Sequence, residues 1–149
     1  MSAIDLNSDL GEWNLDEEIS DAAASNDDVM FDVITSANVA AGFHAGDHAS
    51  MLASARLAIR HGVSLGVHPS HRDRDGFGRR KSEIVSGTLM RDIMEHVEAL
   101  TIAASVSGRR VRYLKPHGAL YNRIAVDDAQ ADAVALAAKD AHLPVLGLA

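Results

Sequence analysis

Ala37-Asn38-Val39-Ala40-Ala41-Gly42 leads through Phe43-His44-Ala45-Gly46-Asp47 into a segment of helical period, and Gly62 hands over to Val63-Ser64-Leu65-Gly66-Val67-His68. A short apolar run, a loop rich in Gly, His and Asp, an amphipathic segment and a second apolar run form the order of a β-α-β unit, whose strands pair in parallel. Asp47 can cap the intervening helix, whose apolar face is Met51, Leu52, Ala55, Ala58 and Ile59, and Gly62 can close it in the left-handed conformation.

The same order extends in both directions. Strands are expected at 3–8, 37–42, 63–68, 111–115 and 145–149. Ser82 is expected to cap a long helix with Val85, Leu89, Ile93, Val97 and Leu100 on one face, closing at Gly108. Asp127 is expected to cap another that carries Val134, Leu136 and Ala141. Strands alternating with helices give an α/β fold with a parallel sheet. The fifth strand signal falls at the end of the sequence, so either a small open sheet or the first part of a larger barrel fits, since a complete barrel usually takes ~250 residues. A last strand left uncovered would favour self-association.

No proline-rich, serine-rich or single-charge block and no repeat divides the 149 residues, so residues 1–149 are expected to form one domain. Fourteen Lys and Arg against twenty-one Asp and Glu leave a formal net charge of −7, which argues against a nucleic-acid partner. The 47% of apolar residues suits a globular core. The amino terminus does not read as a signal sequence and no apolar run approaches the ~18 residues of a membrane span, so a soluble, cytoplasmic chain is expected. Cysteine is absent, which excludes thiolate chemistry and agrees with a reducing compartment.

The chemistry gathers at the ends of the strand signals. Asp5, Asn7 and Asp9 alternate with Leu6, Ser8 and Leu10, so an extended backbone turns the first three to one face; the competing assignment for Asn7-Ser8-Asp9-Leu10-Gly11 is a turn. His44, His68 and His117 each follow a strand signal, and parallel α/β proteins bind ligands at the carboxyl ends of strands, so these imidazoles are expected to converge beside Asp5, Asn7 and Asp9. His61, His96 and His142 fit structural or solvated roles. Imidazoles with a carboxylate suit a divalent ion, for which Asp9, His44 and His68 are the expected ligands. Without metal the same groups can serve as acid and base. Lys115, at a strand end beside Pro116 and His117, can offset charge developing on oxygen, and Arg79 and Arg80 can hold a carboxylate or phosphate.

Asp5-Leu6-Asn7-Ser8-Asp9-Leu10-Gly11-Glu12, Ser36 through Asp47, Gly76-Phe77-Gly78-Arg79-Arg80 and Lys115-Pro116-His117-Gly118-Ala119-Leu120-Tyr121-Asn122 resemble, in order, the LamB/YcsF family, the A subunit of bacterial ATP-dependent 5-oxoprolinase. The resemblance implies a distorted parallel β/α barrel of the TIM-barrel kind, related to polysaccharide deacetylases and glycoside hydrolases, with this chain supplying its N-terminal part. It implies opening of the 5-oxoproline lactam to glutamate coupled to ATP hydrolysis, in a complex with B and C subunits. The expected catalytic residues are Asp9, Lys115 and His117, and Asn7, Asn38, Arg79, Arg80 and Asn122 are expected to bind substrate. Ser8 and Ala41 stand where the family usually has cysteine, and Ser70, followed by His71, where it usually has glycine. Two other activities fit the residues: a metal-dependent amidohydrolase or deacetylase that needs no ATP, and a binding subunit without catalysis. No phosphate loop of the Gly-x-x-x-x-Gly-Lys type occurs, so ATP hydrolysis is expected only with partner subunits.

Overall fold

The computed structural model describes residues 4–14 and 20–148, the side chains of residues 20–25 excepted. Among the described residues the elements follow in the order β1 (Asn7–Leu10), α1 (Ser20–Phe31), β2 (Ser36–Ala40), α2 (His48–His61), β3 (Ser64–His68), α3 (Ser86–Val106), β4 (Val111–Leu114), α4 (Gly118–Arg123) and α5 (Asp128–Asp140). The four strands form one parallel sheet in the order β1-β2-β3-β4. This is the α/β arrangement expected, and β1 is a strand rather than a turn at Asn7 to Leu10.

Alternation along each strand divides the sheet into two unlike faces. Leu10, Ala37, Val39, Leu65, Val67 and Leu114 pack with the helices. From α3 come Leu89, Ile93, Leu100, Ala103 and Ala104, and from α5 Ala133, Val134, Ala137 and Ala138. Each fully buried leucine or isoleucine contributes about 1.5–3 kcal/mol relative to an exposed one. The opposite face carries Asn7, Asp9, Ser36, Asn38, His68, Tyr113 and Lys115. Their alternation with the core residues is the polar-inward pattern expected for strands that enter a site.

Capping chemistry sets two of the helix starts as the sequence suggests. Asp47 accepts from the Ser50 amide at 2.8 Å while Ser50 Oγ accepts from the Asp47 amide at 2.8 Å, a reciprocal capping box, and Gly62 closes α2 at φ 70°. Asp127 accepts from the Gln130 amide at 3.1 Å to open α5. The long helix differs: it begins at Ser86 after an extended Val85, and Ser82 does not cap it. α5 explains the shift. Gln130 Nε2 donates to the Ser82 carbonyl at 3.1 Å and Ser86 Oγ donates to the Ala129 carbonyl at 3.0 Å, so the start of α5 holds both ends of the 82–86 segment, in which Val85 is extended and exposed.

Two strand expectations are also corrected. Residues 4–6 lie outside β1, although the Leu6 carbonyl accepts from the Thr35 amide at 2.8 Å. In place of a fifth strand, Val145 makes a single parallel bridge with Leu114, and residues 146–148 form no strand; Ala149 lies outside the described residues. Both α1 and the six-residue α4 escape the sequence patterns, α1 because its Asp, Asn and Ala content gives little amphipathic contrast. No described helix is long and apolar enough to cross a membrane.

His96, on α3, is fully buried. Its Nδ1 donates to the Asp92 carbonyl one turn earlier at 2.7 Å, and Nε2 finds no partner among the described residues. The ring meets Phe43 edge-on at 3.9 Å, and the Arg72 guanidinium covers Phe43 at 3.7 Å while pairing with the buried Asp92 at 3.0 Å. Burial pushes His96 from 6.5 down to about 3. A neutral base in the fold that gains a proton on unfolding stabilises the fold above pH 6.5 and loses that contribution as pH falls toward 3. His96→Leu should therefore flatten the fall in unfolding free energy across this window, measured by denaturant titration at stepped pH. His44, His71 and His117, also depressed by burial, retain their share of the slope. Identical slopes for the two proteins would refute the assignment.

Candidate active site

Parallel register brings the polar face together row by row. Asp9 lies opposite Asn38, Asn38 opposite Gly66, and Gly66 opposite Tyr113. Gly66 has no side chain, so the Tyr113 ring lies across β3, where any Cβ would collide with it. Tyr113 thereby reaches Asn38 and donates to its Oδ1 at 2.7 Å. This contact fixes the amide orientation, and Asn38 Nδ2 donates to Asp9 Oδ1 at 2.8 Å and to Asn7 Oδ1 at 2.9 Å. Burial pushes the Tyr113 phenol up to about 12, so it remains a donor.

Asp9 is the junction of the row. Lys115 Nζ lies 2.6 Å from Oδ1, and His68 Nε2 lies 3.3 Å from Oδ2. Burial alone would raise the Asp9 carboxyl, but His68, Lys115 and Asn38 together hold it well below the usual carboxylate range.

Beyond the strand ends, three imidazoles and a carboxylate meet. One ligand atom each from Glu12, His44, His68 and His117 lies within 4.8 Å of all the others. The rings of His44 and His117 stack at 3.9 Å, and His68 stands edge-on to both. Each imidazole has one nitrogen engaged on its outer side. His68 Nδ1 donates to the Lys115 carbonyl at 2.7 Å, and His117 Nε2 donates to the Phe77 carbonyl at 2.9 Å. His44 Nδ1 lies 3.0 Å from Ser70 Oγ, whose own proton goes to the His71 carbonyl at 2.8 Å, so His44 is the donor of that pair.

In the neutral form of each ring, those outer bonds fix the tautomer and leave the inner nitrogen as a lone pair, whereas a protonated ring donates to the carboxylate it faces. His68 Nε2 and His117 Nδ1 face each other at 3.0 Å, and His44 Nε2 faces Glu12 Oε1 at 3.2 Å. Burial lowers the His44 and His117 pKa values, the latter to about 4, and Glu12 is held below its ordinary value because the neighbouring imidazoles, His44 first, outweigh the effect of burial. Acceptors facing acceptors in a buried site are unfavourable, whereas a cation among them converts each lone pair into a ligand. The donor set of three imidazoles and a carboxylate fits a divalent ion of the zinc type, and the outer hydrogen bonds are those that orient metal-binding histidines.

The loops that carry these groups are pinned. Asp27 Oδ2 accepts from the Gly11 amide at 2.8 Å and from Trp13 Nε1 at 3.0 Å, bracketing Glu12. Arg74 donates to the Gly42 carbonyl at 2.7 Å, to the Gly46 carbonyl at 3.0 Å and to Asn14, tying together the loops after β1, β2 and β3. Gly78 adopts φ 65°, and a Cβ there would sit 2.8 Å from His117 Cδ2 and 2.9 Å from His44 Cβ. Only glycine allows that loop to close over the imidazoles.

His44, His68 and His117 therefore meet beside Asp9, as the strand-end argument expects, and Asn7, Asn38 and Lys115 join the same row; Asp5 does not, because its carboxylate accepts from Thr35 Oγ1 at 2.5 Å and from Ser36 Oγ at 2.7 Å instead. The carboxylate grouped with the three imidazoles is Glu12, where the sequence points to Asp9; Asp9 touches the cluster through His68 and is otherwise engaged by Lys115 and Asn38. Arg79 and Asn122 line a separate pocket that contains none of the cluster residues, and Arg80 reaches toward Asp73 at 3.6 Å. Glu12 and Tyr113 are site residues that the sequence patterns do not single out. Glu12 has a signal in its place one residue after Gly11, behind a polar strand; Tyr113 has only its position beside Leu114.

Comparison with known proteins agrees with this architecture. The A subunit of 5-oxoprolinase from Mycolicibacterium gilvum is 46% identical over 100% of this chain and 58% of its own length. That of Streptomyces avermitilis is 47% identical over 97% of this chain and 57% of its own. The crystal structure of the lactam utilization protein from Thermus thermophilus superposes with a TM-score of 0.90 at 37% identity, covering 99% of this chain and 58% of that one. The chain thus spans a little over half the length of these relatives. The pattern of the LamB/YcsF family runs through residues 4–149, and with relatives of this similarity along its whole length the chain belongs to the LamB/YcsF family.

Proposed function

We propose that the chain carries the lactam-opening site of an ATP-dependent 5-oxoprolinase, converting 5-oxoproline to L-glutamate as part of a single β/α-barrel domain that works with B and C subunits in the cytoplasm. The observation that carries this proposal is the 46% identity, along the entire chain, to relatives described as the A subunit of 5-oxoprolinase. A lactam resists water because amide resonance must be broken. Transfer of the γ-phosphoryl group of ATP to the amide oxygen, with release of ADP, would weaken that resonance; one water then adds to the carbon, the ring C–N bond breaks as the nitrogen takes a proton, and a second water hydrolyses the resulting acyl phosphate to glutamate and phosphate.

Within this scheme the Lys115 ammonium offsets negative charge on the reacting oxygen. Asp9, held ionised with Lys115 and Asn38 both on Oδ1, is a poor proton acceptor; it positions Lys115. Asn38, oriented by Tyr113, fixes Asp9 in turn, and Asn7 extends the same polar row. His117 stands beside His68 at the mouth of the row. Arg79, Arg80 and Asn122 lie apart from this group. A divalent ion held by Glu12, His44, His68 and His117 would supply Lewis acidity beside the row.

The Glu12 and histidine cluster also favours a second function, that of a metal-dependent amidohydrolase without ATP. Assay of 5-oxoproline conversion and phosphate release by the purified chain, alone and with B and C subunits of a related organism, separates the two. Glutamate and phosphate formed together only in the presence of all components support the first. In that assembly Lys115→Ala should lower turnover about 100-fold or more, far more than it lowers stability in thermal unfolding. Lactam or amide hydrolysis by the chain without nucleotide would overturn it in favour of the second.

Metal binding can be read without any activity. Equilibrium dialysis against zinc should load about one ion per chain, the count expected for a four-ligand site. His44→Ala should abolish that loading, with circular dichroism confirming an intact fold. Retention of full stoichiometry by His44→Ala would remove the cluster as the site.

A further inference from the structure

On the outer side of the 76–80 loop, between residues 71–82 and α4, lies a second cavity of about 250 Å³. Its polar lining is His71, Arg79, Lys81, Ser82, Asn122 and Arg123, and no acidic residue lines it. Arg123 is engaged elsewhere, by Asp127 at 2.8 Å and Glu83 at 3.5 Å, and Asn122 Nδ2 donates to the Gly118 carbonyl at 3.2 Å. Arg79 and Lys81 make no ion pair among the described residues; the Arg79 guanidinium only approaches the Phe77 ring at 5.4 Å. In a chain of net charge −7, two cations turned toward an acid-free cavity form a local exception.

His71 supplies the independent observation. It is 2% exposed, and neither ring nitrogen has a hydrogen-bond partner among the described residues. A buried imidazole with both nitrogens unsatisfied costs stability unless something fills the place of the missing partner. Neutral imidazole can offer one N–H to an oxygen atom in the cavity.

We propose that this cavity is a second ligand site, for a phosphate-class oxyanion: orthophosphate or the terminal phosphoryl group of a nucleotide. A carboxylate carries a single charge and two oxygens. Here a guanidinium fork, an ammonium, the Ser82 hydroxyl and an imidazole N–H offer charge and donors for a dianion with more oxygens. Arg79 directly follows Gly78, whose backbone abuts His44 and His117, and the Gly78 carbonyl accepts from the Ala119 amide at 2.9 Å. An anion held by Arg79 therefore braces the same loop that closes over the imidazole cluster. The proposal concerns a cavity outside that cluster and does not depend on the lactam reaction.

The test is calorimetric titration of the whole chain at constant ionic strength, with EDTA present to keep metal out of the imidazole cluster. Three ligands are compared: inorganic phosphate, ATP and L-glutamate. Saturable phosphate binding that weakens about tenfold or more in Arg79→Gln and in Lys81→Gln supports the site, about 1.4 kcal/mol for each loss. Both side chains are solvent-exposed, so these variants should keep the wild-type circular dichroism and thermal midpoint. Tighter binding of ATP in competition with phosphate identifies the nucleotide's phosphoryl group as the source, and phosphate binding without ATP binding identifies the free ion. Absence of saturable binding by both, equal affinity for L-glutamate, or affinities unchanged in both variants would overturn the proposal. His71→Phe, which fills the space without an N–H, should weaken phosphate binding in the same direction.

Discussion

Helices cover one face of this parallel sheet, and everything specific to the molecule follows from what is left on the other. The covered face is ordinary: alanine, valine and leucine packed against α2 and α3, with α5 packed in turn on α3. The other face must satisfy a row of amides, carboxylates and imidazoles without burying an uncompensated charge. It does so by cross-strand pairing, in which the Tyr113 phenol, the Asn38 amide, the Asp9 carboxylate and the Lys115 ammonium form a chain of donors to acceptors running across the sheet. Parallel register is what aligns them, because a slip of one residue would send each to the helix side.

The imidazole cluster is built by a different device. Most of its residues come from loops, which carry less intrinsic order than strands, and its geometry is imposed from outside by carbonyls at Lys115 and Phe77, the Ser70 hydroxyl, the Asp27 clamp and the Arg74 staple. Such groups contribute to the site by restricting it. The two devices share His68, which ends β3 and touches both Asp9 and His117, so the rigid row and the loop-borne cluster are coupled through one ring.

Periodicity is enough to reveal the β-α-β order, the Asp47 and Asp127 caps and the convergence of His44, His68 and His117, because these depend on local chemistry or on the rule that parallel strands share a ligand-binding end. Tertiary contacts decide what periodicity misses. Ser82 has the composition of a cap, yet Gln130 of α5 holds its carbonyl, Val85 is extended, and the helix starts only at Ser86. Glu12 reaches the histidines only because the Gly11 turn and the Asp27 clamp redirect the chain after β1. Arg79 and Arg80 sit side by side in sequence but part in space, one toward the cavity beside α4 and the other toward Asp73. No spacing rule encodes that divergence.

Gly66 has a consequence for how substitutions in this family are understood. It contributes no atom to the polar row, yet its bare Cα is the gap through which Tyr113 passes over β3. A scan that recorded only tolerance would score Gly66 as a backbone requirement of the strand, although its φ is not among the positive values seen at other glycines. The intolerance belongs instead to the tyrosine opposite it on the neighbouring strand. A paired change that shortened residue 113 while enlarging residue 66 would exchange one way of filling the same volume for another, and the two positions are best regarded as one steric unit.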